Sequence, residues 1–290
     1  NTSTCTFGVT VVDTTNPTTI TCPAAPASVE ATSSAGAAVS YDVATATDIG
    51  DSSLAVTYSA ASGSTFAIGT TTVTATATDD SGNTATCSFN VTVVDTTRPA
   101  ITCGAHNNTN IDTSGNGTND ATEVTSASGA AVTWSASSAT DTGYAAGNIT
   151  ISYANASGTA VVSGDIFAIG THTITATATD GSSNTHTCTF TVKVADTTNP
   201  AIACGAQNNA NVDTSGNGTN DATEATSASG AAVTWSASTA TDTGDDSVAI
   251  TYSAASGSTF AIGTTTVTAT ATDDSGNSST CTFDVTVVDT

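Results

Sequence analysis

Two stretches of this 290-residue chain carry the residue types of a calcium loop. The first runs Asp112-Thr-Ser-Gly-Asn-Gly-Thr-Asn-Asp-Ala-Thr-Glu123, and it recurs letter for letter as Asp213 to Glu224. A twelve-residue calcium loop needs oxygen donors at positions 1, 3, 5, 7, 9 and 12 and a glycine at 6 for the sharp turn. Asp112, Ser114, Asn116, the Thr118 carbonyl, Asp120 and Glu123 fall on those positions, with Gly117 at the sixth. The copy supplies Asp213, Ser215, Asn217, Thr219, Asp221 and Glu224 around Gly218. The register predicts a hard cation in an EF-hand-like loop that lacks flanking helices. A polar, glycine-rich surface turn is the alternative reading of the same letters. Asn116 and Asn217 also open glycosylation sequons, and a glycan there would compete with a ligand role.

A second set of carboxylates recurs at the repeat junctions. The loop with Asp48 and Asp51 and the turn with Asp79 and Asp80 are expected at one pole of a module, near Asp13 in the linker. The equivalents are Asp95, Asp141 and Asp180, then Asp196, Asp242, Asp245, Asp246, Asp273 and Asp274. A calcium ion there would tie linker to module; solvated turn aspartates are the alternative.

Seven cysteines allow two regular pairings. Within modules they are Cys22–Cys87, Cys103–Cys188 and Cys204–Cys281, with Cys5 left over. Across junctions they are Cys5–Cys22, Cys87–Cys103 and Cys188–Cys204, with Cys281 left over. From Cys87 an extended strand of eight residues to Asp95 already covers roughly 26 Å, whereas a bridge needs Cα atoms within about 7 Å. That geometry favours the within-module set. Regular bridges imply an oxidising compartment. No catalytic constellation recurs: His172 and His186 open opposite strands of a hairpin, His106 stands alone, and no Ser-His-Asp or Cys-His set shares a loop. Trp134 and Trp235 begin matching strands and read as core anchors. Further sequons open at Asn1, Asn90, Asn107, Asn148, Asn155 and Asn277.

The elements that must position these groups are strands. Lys and Arg total 2 against 25 Asp and Glu, for a net charge of −23, which argues against nucleic-acid binding and against an anionic membrane surface. Large apolar residues are few, so each thin core needs a cross-link or metal, and no stretch is long and apolar enough to span a bilayer. Tyr58 to Asn83 recurs identically as Tyr252 to Asn277, and Val-Thr-Val-Val-Asp-Thr occurs at 9–14, 91–96 and 285–290, with a variant at 192–197. Thr72-Val73-Thr74-Ala75-Thr76-Ala77-Thr78 alternates polar and apolar with period two, the mark of a half-buried strand. Asp80-Ser81-Gly82-Asn83 supplies a turn, and Thr84 to Val94 returns as the partner strand. Pro17, Pro99 and Pro200 follow each junction, where a strand can begin without donating an amide. The expectation is all-β: modules at 14–95, 96–196 and 197–290, about seven strands each in a sandwich, arranged end to end. Residues 1–13 read as the last strand of a preceding module, with Cys5 unpaired inside the chain. That points to a segment of a longer repetitive protein, or to a strand donated to another chain.

Three ordered motif sets carry a family resemblance. Pro99-Ala-Ile-Thr-Cys103, Phe167-Ala-Ile-Gly-Thr171, Thr-Ala-Thr-Asp180 and Thr187-Cys188-Thr-Phe190 resemble the hyalin repeat. Cys22, Phe66 to Thr70, Asp79 to Asn83 and Cys87 match in the first module, and Cys204, Phe260 to Thr264, Asp273 to Asn277 and Cys281 in the third. The resemblance implies immunoglobulin-like extracellular modules associated with adhesion and surface architecture. Lysine poverty and near-identical repeats depart from an animal adhesion module toward a microbial surface or filament protein, and modules two and three carry the insertion after Cys103 and Cys204. The expected function is a structural, calcium-stiffened segment of an extracellular filament, stalk or surface layer. Its expected partners are further copies or repeats of the same protein. An adhesin recognising a protein or glycan, or an appendage of a secreted enzyme, is the alternative.

Overall fold

A computed structural model describes all residues, 1–290. The chain is all-β apart from one turn of 3-10 helix at Ala146–Asn148. Each repeat contributes eight strands, one more than expected because the structure resolves two-residue edge pieces. In the first repeat these are β1 (Thr19–Thr21), β2 (Val29–Glu30), β3 (Ala37–Ala38), β4 (Thr45–Thr47), β5 (Ala55–Tyr58), β6 (Thr65–Phe66), β7 (Gly69–Thr78) and β8 (Thr84–Val94). The second repeat runs from β9 (Ala100–Thr102) to β16 (Thr185–Ala195), and the third from β17 (Ala201–Ala203) to β24 (Ser278–Val288).

Two compact units form. One comprises residues 1–103, 137–152 and 176–188; the other comprises residues 104–136, 153–175 and 189–290. The first unit holds the whole first repeat, and the second unit the whole third repeat. In both repeats a four-stranded sheet has the same order, β2-β8-β7-β5 and β18-β24-β23-β21, where β18 is Thr223–Glu224, β21 is Ala249–Tyr252 and β23 is Gly263–Thr272. The short strand pairs parallel with the last long strand, Val29 opposite Val93 and Thr223 opposite Val287, while the long hairpin is antiparallel.

The hairpin explains itself from sequence. Along β7, Val73, Ala75 and Ala77 are fully buried while the intervening threonines face outward; Val267, Ala269 and Ala271 repeat this on β23. β-Branched threonine suits the pleated, half-solvated face, and cross-strand hydroxyl pairs such as Thr70–Thr92 and Thr264–Thr286 line it. One aromatic cluster fills each core: Phe66 and Phe89 with Tyr41 in the first repeat, Trp134 with Phe167, Tyr153 and Phe190 in the second, Trp235 with Phe260, Tyr252 and Phe283 in the third. Glycine is obligatory where a tight turn meets the sheet: a Cβ on Gly36, Gly129 or Gly230 would sit 1.8 Å from the carbonyl oxygen of Phe66, Phe167 or Phe260, and φ is +105°, +113° and +100° there.

Disulfides join Cys22 to Cys87, Cys103 to Cys188 and Cys204 to Cys281, each with Cα atoms 5.8 Å apart. They close loops of 65, 85 and 77 residues, a span for which the chain-entropy model gives about 4 kcal/mol each. Cys5 is free and exposed. Residues 1–17 form no strand, and Phe7, Val9, Val11 and Val12 are 84%, 76%, 92% and 74% exposed. A strand needs a neighbour's ladder, and this segment has none here.

Candidate metal centres

Three aspartate clusters form, and they are built alike. Asp13, Asp48, Asp51 and Asp79 make the first; Asp95, Asp141 and Asp180 the second; Asp196, Asp242, Asp245 and Asp273 the third. In each, one carboxylate oxygen per residue lies within 4.8 Å of all the others. Ligands around a single calcium ion can be no more than about 5 Å apart, so each cluster is the size of one coordination sphere.

Local turns put the groups there. The residue closing the hairpin turn, Asn83, donates its backbone N–H and side-chain amide to Asp79, which folds the Asp79 carboxylate inward. The same side-chain amide donates to the Asp13 carbonyl and so fixes the incoming linker. Asn184 does this for Asp180 and Asp95, and Asn277 for Asp273 and Asp196. The linker aspartate is steadied by the threonine two residues on: Thr15, Thr97 and Thr198 each donate amide and hydroxyl to one oxygen of Asp13, Asp95 and Asp196. The Thr15 hydroxyl and amide hold the Asp13 carboxyl below the usual carboxylate range. The loop aspartates accept from the glycine amide two residues on, Asp48 from Gly50, Asp141 from Gly143 and Asp242 from Gly244.

One oxygen in each cluster is left over. Asp48 Oδ1, Asp95 Oδ2 and Asp196 Oδ2 are buried and have no hydrogen-bond partner. Asp95 and Asp196 are only 6% and 7% exposed as whole residues. A buried carboxylate oxygen without a donor costs upward of about 1–3 kcal/mol, and buried polar groups are otherwise satisfied almost without exception. With two Lys and Arg in the whole chain, the protein has little cationic charge of its own to offer. An all-carboxylate set with no His or Cys suits a hard cation.

Three of the expected aspartates are not in the clusters, and Asp246, exposed at the surface, is one of them. Asp80 and Asp274 lie outside them and are exposed; instead their backbone amides donate to Asp51 and Asp245. Asp79 and Asp273, the other two turn aspartates expected at that pole, are each 5% exposed and lie inside. The signal was present in the sequence, since the second repeat keeps Asp180 at this position and has Gly181 at the next.

The twelve-residue loop is arranged differently from its linear register. Asp112 accepts from the amides of Ser114, Gly115 and Gly117, and Asp213 from those of Gly216, Asn217 and Gly218, so each carboxylate closes its own turn. The Gly117 amide leads in holding Asp112 below its ordinary carboxyl range, and the Gly218 amide does the same for Asp213. Asp120 accepts the Thr113 hydroxyl and amide, which bring it down to about 2, and Asp221 caps Thr214 likewise. Asn116 and Asn217 receive the Thr118 and Thr219 amides. The position-12 residues are turned onto other partners: Glu123 accepts the amide and hydroxyl of Thr197, and Glu224 those of Thr290. Glu30 accepts from Thr96 in the same way, in a repeat that has no insertion. Glu123 and Glu224 therefore clamp the exit of the last strand, and the loop carboxylates are not among the sets whose oxygens lie within 4.8 Å of one another.

The sequons also separate. Asn90, Asn107, Asn116, Asn148 and Asn217 are exposed and Asn155 is half-buried. The Asn277 amide nitrogen is engaged by Asp273 and the Asp196 carbonyl, so a glycan would dismantle that cluster. His106 has a structural partner, its Nε2 2.8 Å from the Thr122 hydroxyl, and Gln207 binds the Thr223 hydroxyl in the equivalent place.

Tandem all-β repeats, each closed by one disulfide, define a class of modular repeat protein. The HYR domain model matches three times, at residues 12–93, 94–194 and 195–287, and the chain belongs to that family. Hyalin of Strongylocentrotus purpuratus is 33% identical over 297 residues; the match takes in 99% of this chain, which spans 22% of hyalin's length. Among solved structures, protocadherin gammaB7 EC3-6 matches 94% of this chain and 74% of its own, at 14% identity and a TM-score of 0.33. Sidekick-1 immunoglobulin domains 1-5 match 96% and 60%, at 12% identity and a TM-score of 0.34. The fold assignment stands on the strands themselves.

Proposed function

We propose that this chain is a non-enzymatic structural segment of an extracellular filament, stalk or surface layer, and that each repeat holds one calcium ion in its aspartate cluster. The observation that carries the calcium reading is the buried, donorless oxygen at Asp95 and Asp196, each inside a cluster the size of one coordination sphere. A cation there binds the linker aspartate to the loop and turn of the repeat that follows. Repeats bounded at 14–95, 96–196 and 197–290, near-identical in sequence and each closed by a disulfide, suit an architectural role in an oxidising exterior.

Residues 4–14 support self-assembly as part of this reading. They match residues 280–290 except for Gly8 in place of Asp284. Val285 and Val287 are fully buried in β24, whereas their counterparts Val9 and Val11 are exposed. The segment is suited to complete the body of a further repeat, in the same protein or a second copy.

Chelation tests the calcium reading. Added calcium should raise the melting temperature and EDTA should lower it; identical melts would end the proposal. Electron microscopy of native material tests the architecture, with uniform fibres of fixed axial repeat expected.

A further inference from the structure

We infer that the three clusters are not equivalent: Tyr144 makes the middle one a weaker, separately filled calcium site, while the outer two fill first. This rests on the calcium reading above.

The three loops align without a gap as Asp48-Ile49-Gly50-Asp51, Asp141-Thr142-Gly143-Tyr144 and Asp242-Thr243-Gly244-Asp245. The outer clusters therefore hold four carboxylates and the middle one three. Tyr144 stands where the fourth carboxylate would be, and its backbone N–H donates to Asp141 Oδ1 at 3.1 Å. Its ring takes up the space beside the turn: a Cβ on residue 181 would lie 2.4 Å from Tyr144 Cε1, so the ring requires Gly181, where the other repeats have Asp80 and Asp274. Its hydroxyl is 3.1 Å from the Ser182 hydroxyl. The exchange is thus a matched pair, carboxylate to phenol at 144 and aspartate to glycine at 181. It leaves the rest of the nest intact, because Asn184 still grips Asp180 and the Asp95 carbonyl, and Asp95 Oδ2 is still buried without a donor. The middle cluster remains a cation site but with one negative charge fewer inside the coordination sphere. Calcium affinity in oxygen cages follows ligand charge count, and one charge at contact range corresponds to at least about a tenfold loss.

Tyr144 also supplies the readout, because a phenol beside a bound Tb3+ ion sensitises its emission. Calcium titration of the whole chain by calorimetry should resolve two tight sites and one at least tenfold weaker. Tyrosine-sensitised Tb3+ emission should appear with the weak class, be displaced by calcium, and fall away in Tyr144→Leu. The double variant Tyr144→Asp/Gly181→Asp should convert the titration to three tight sites. Three equal sites in the unaltered chain, or a double variant that still shows one weak site, would overturn the inference while leaving calcium binding itself standing. No calcium uptake at any site would remove both readings together.

Discussion

Asp196 concentrates the problem that each cluster poses. It is 7% exposed, one oxygen is held by Thr198, and the other faces three further carboxylates without a donor. In the metal-free chain this arrangement opposes folding, and with a cation bound it favours it. Asp196→Asn should therefore raise the melting temperature measured in EDTA and shrink the further rise that calcium produces; a variant destabilised in EDTA would contradict that balance. His106 gives a second prediction at this scale. Burial pushes its pKa below the ordinary value near 6.5, opposed by a hydrogen bond with Asn108. A depressed histidine supports the fold above about pH 6.5 and withdraws that support as pH falls through its native pKa. Gln207 does the same work in the third repeat and does not titrate. Amide protection, taken relative to the intrinsic base-catalysed exchange rate, should fall in the second repeat between pH 7.5 and 5.5 while that of the third stays level, and His106→Gln should abolish the difference.

At the level of elements, the long hairpin was readable because threonine alternating with valine or alanine has one good solution, a strand with one wet face. The same period places the aromatic anchors. The insertion was harder to read. A twelve-position register counts residues along the chain, whereas the Asp112 carboxylate is turned by the amides of Gly115 and Gly117. Comparing Glu30 with Glu123 and Glu224 would have revealed a repeat-body residue, because the first repeat has that glutamate without the insertion. Asp79 and Asp80 read alike as turn aspartates, and only the direction of the side chain, set by Asn83, separates them. Two substitutions test the packing. Gly230→Ala meets the Phe260 carbonyl at positive φ and should cost at least about 2 kcal/mol in denaturant melts. Trp235→Ala should cost about 3–5 kcal/mol, since the residue is 6% exposed and its ring packs against three other rings.

Over the whole molecule, stability comes from covalent closure and from repetition more than from large cores. Each repeat packs one small cluster of aromatic and aliphatic side chains, which is thin for a domain of this size. Reducing the three bridges should thus lower the unfolding free energy by about 4 kcal/mol per repeat, and a reduced chain that melts like the oxidised one would refute that weighting. The tandem all-β organisation and family membership were legible in the spacing of cysteines, Phe-Ala-Ile-Gly-Thr motifs and Asp-Asn turns. The Asp-Asn spacing recurs in all three repeats, but what these asparagines bond was not legible, because the carbonyls of Asp13, Asp95 and Asp196 that they hold lie 70, 89 and 81 residues away.

The near-absence of basic residues has a further consequence for the exterior role proposed above. Trypsin-like proteases cut after Lys or Arg and stall when proline follows. The chain's one arginine is followed by Pro99, and its one lysine, Lys193, lies within β16 with its ammonium group on Thr113 and the next residue, Val194, 1% exposed. Such a protease therefore finds a single cleavable bond in 290 residues, and that bond is locked in the centre of a sheet. Digestion must wait for the second repeat to open.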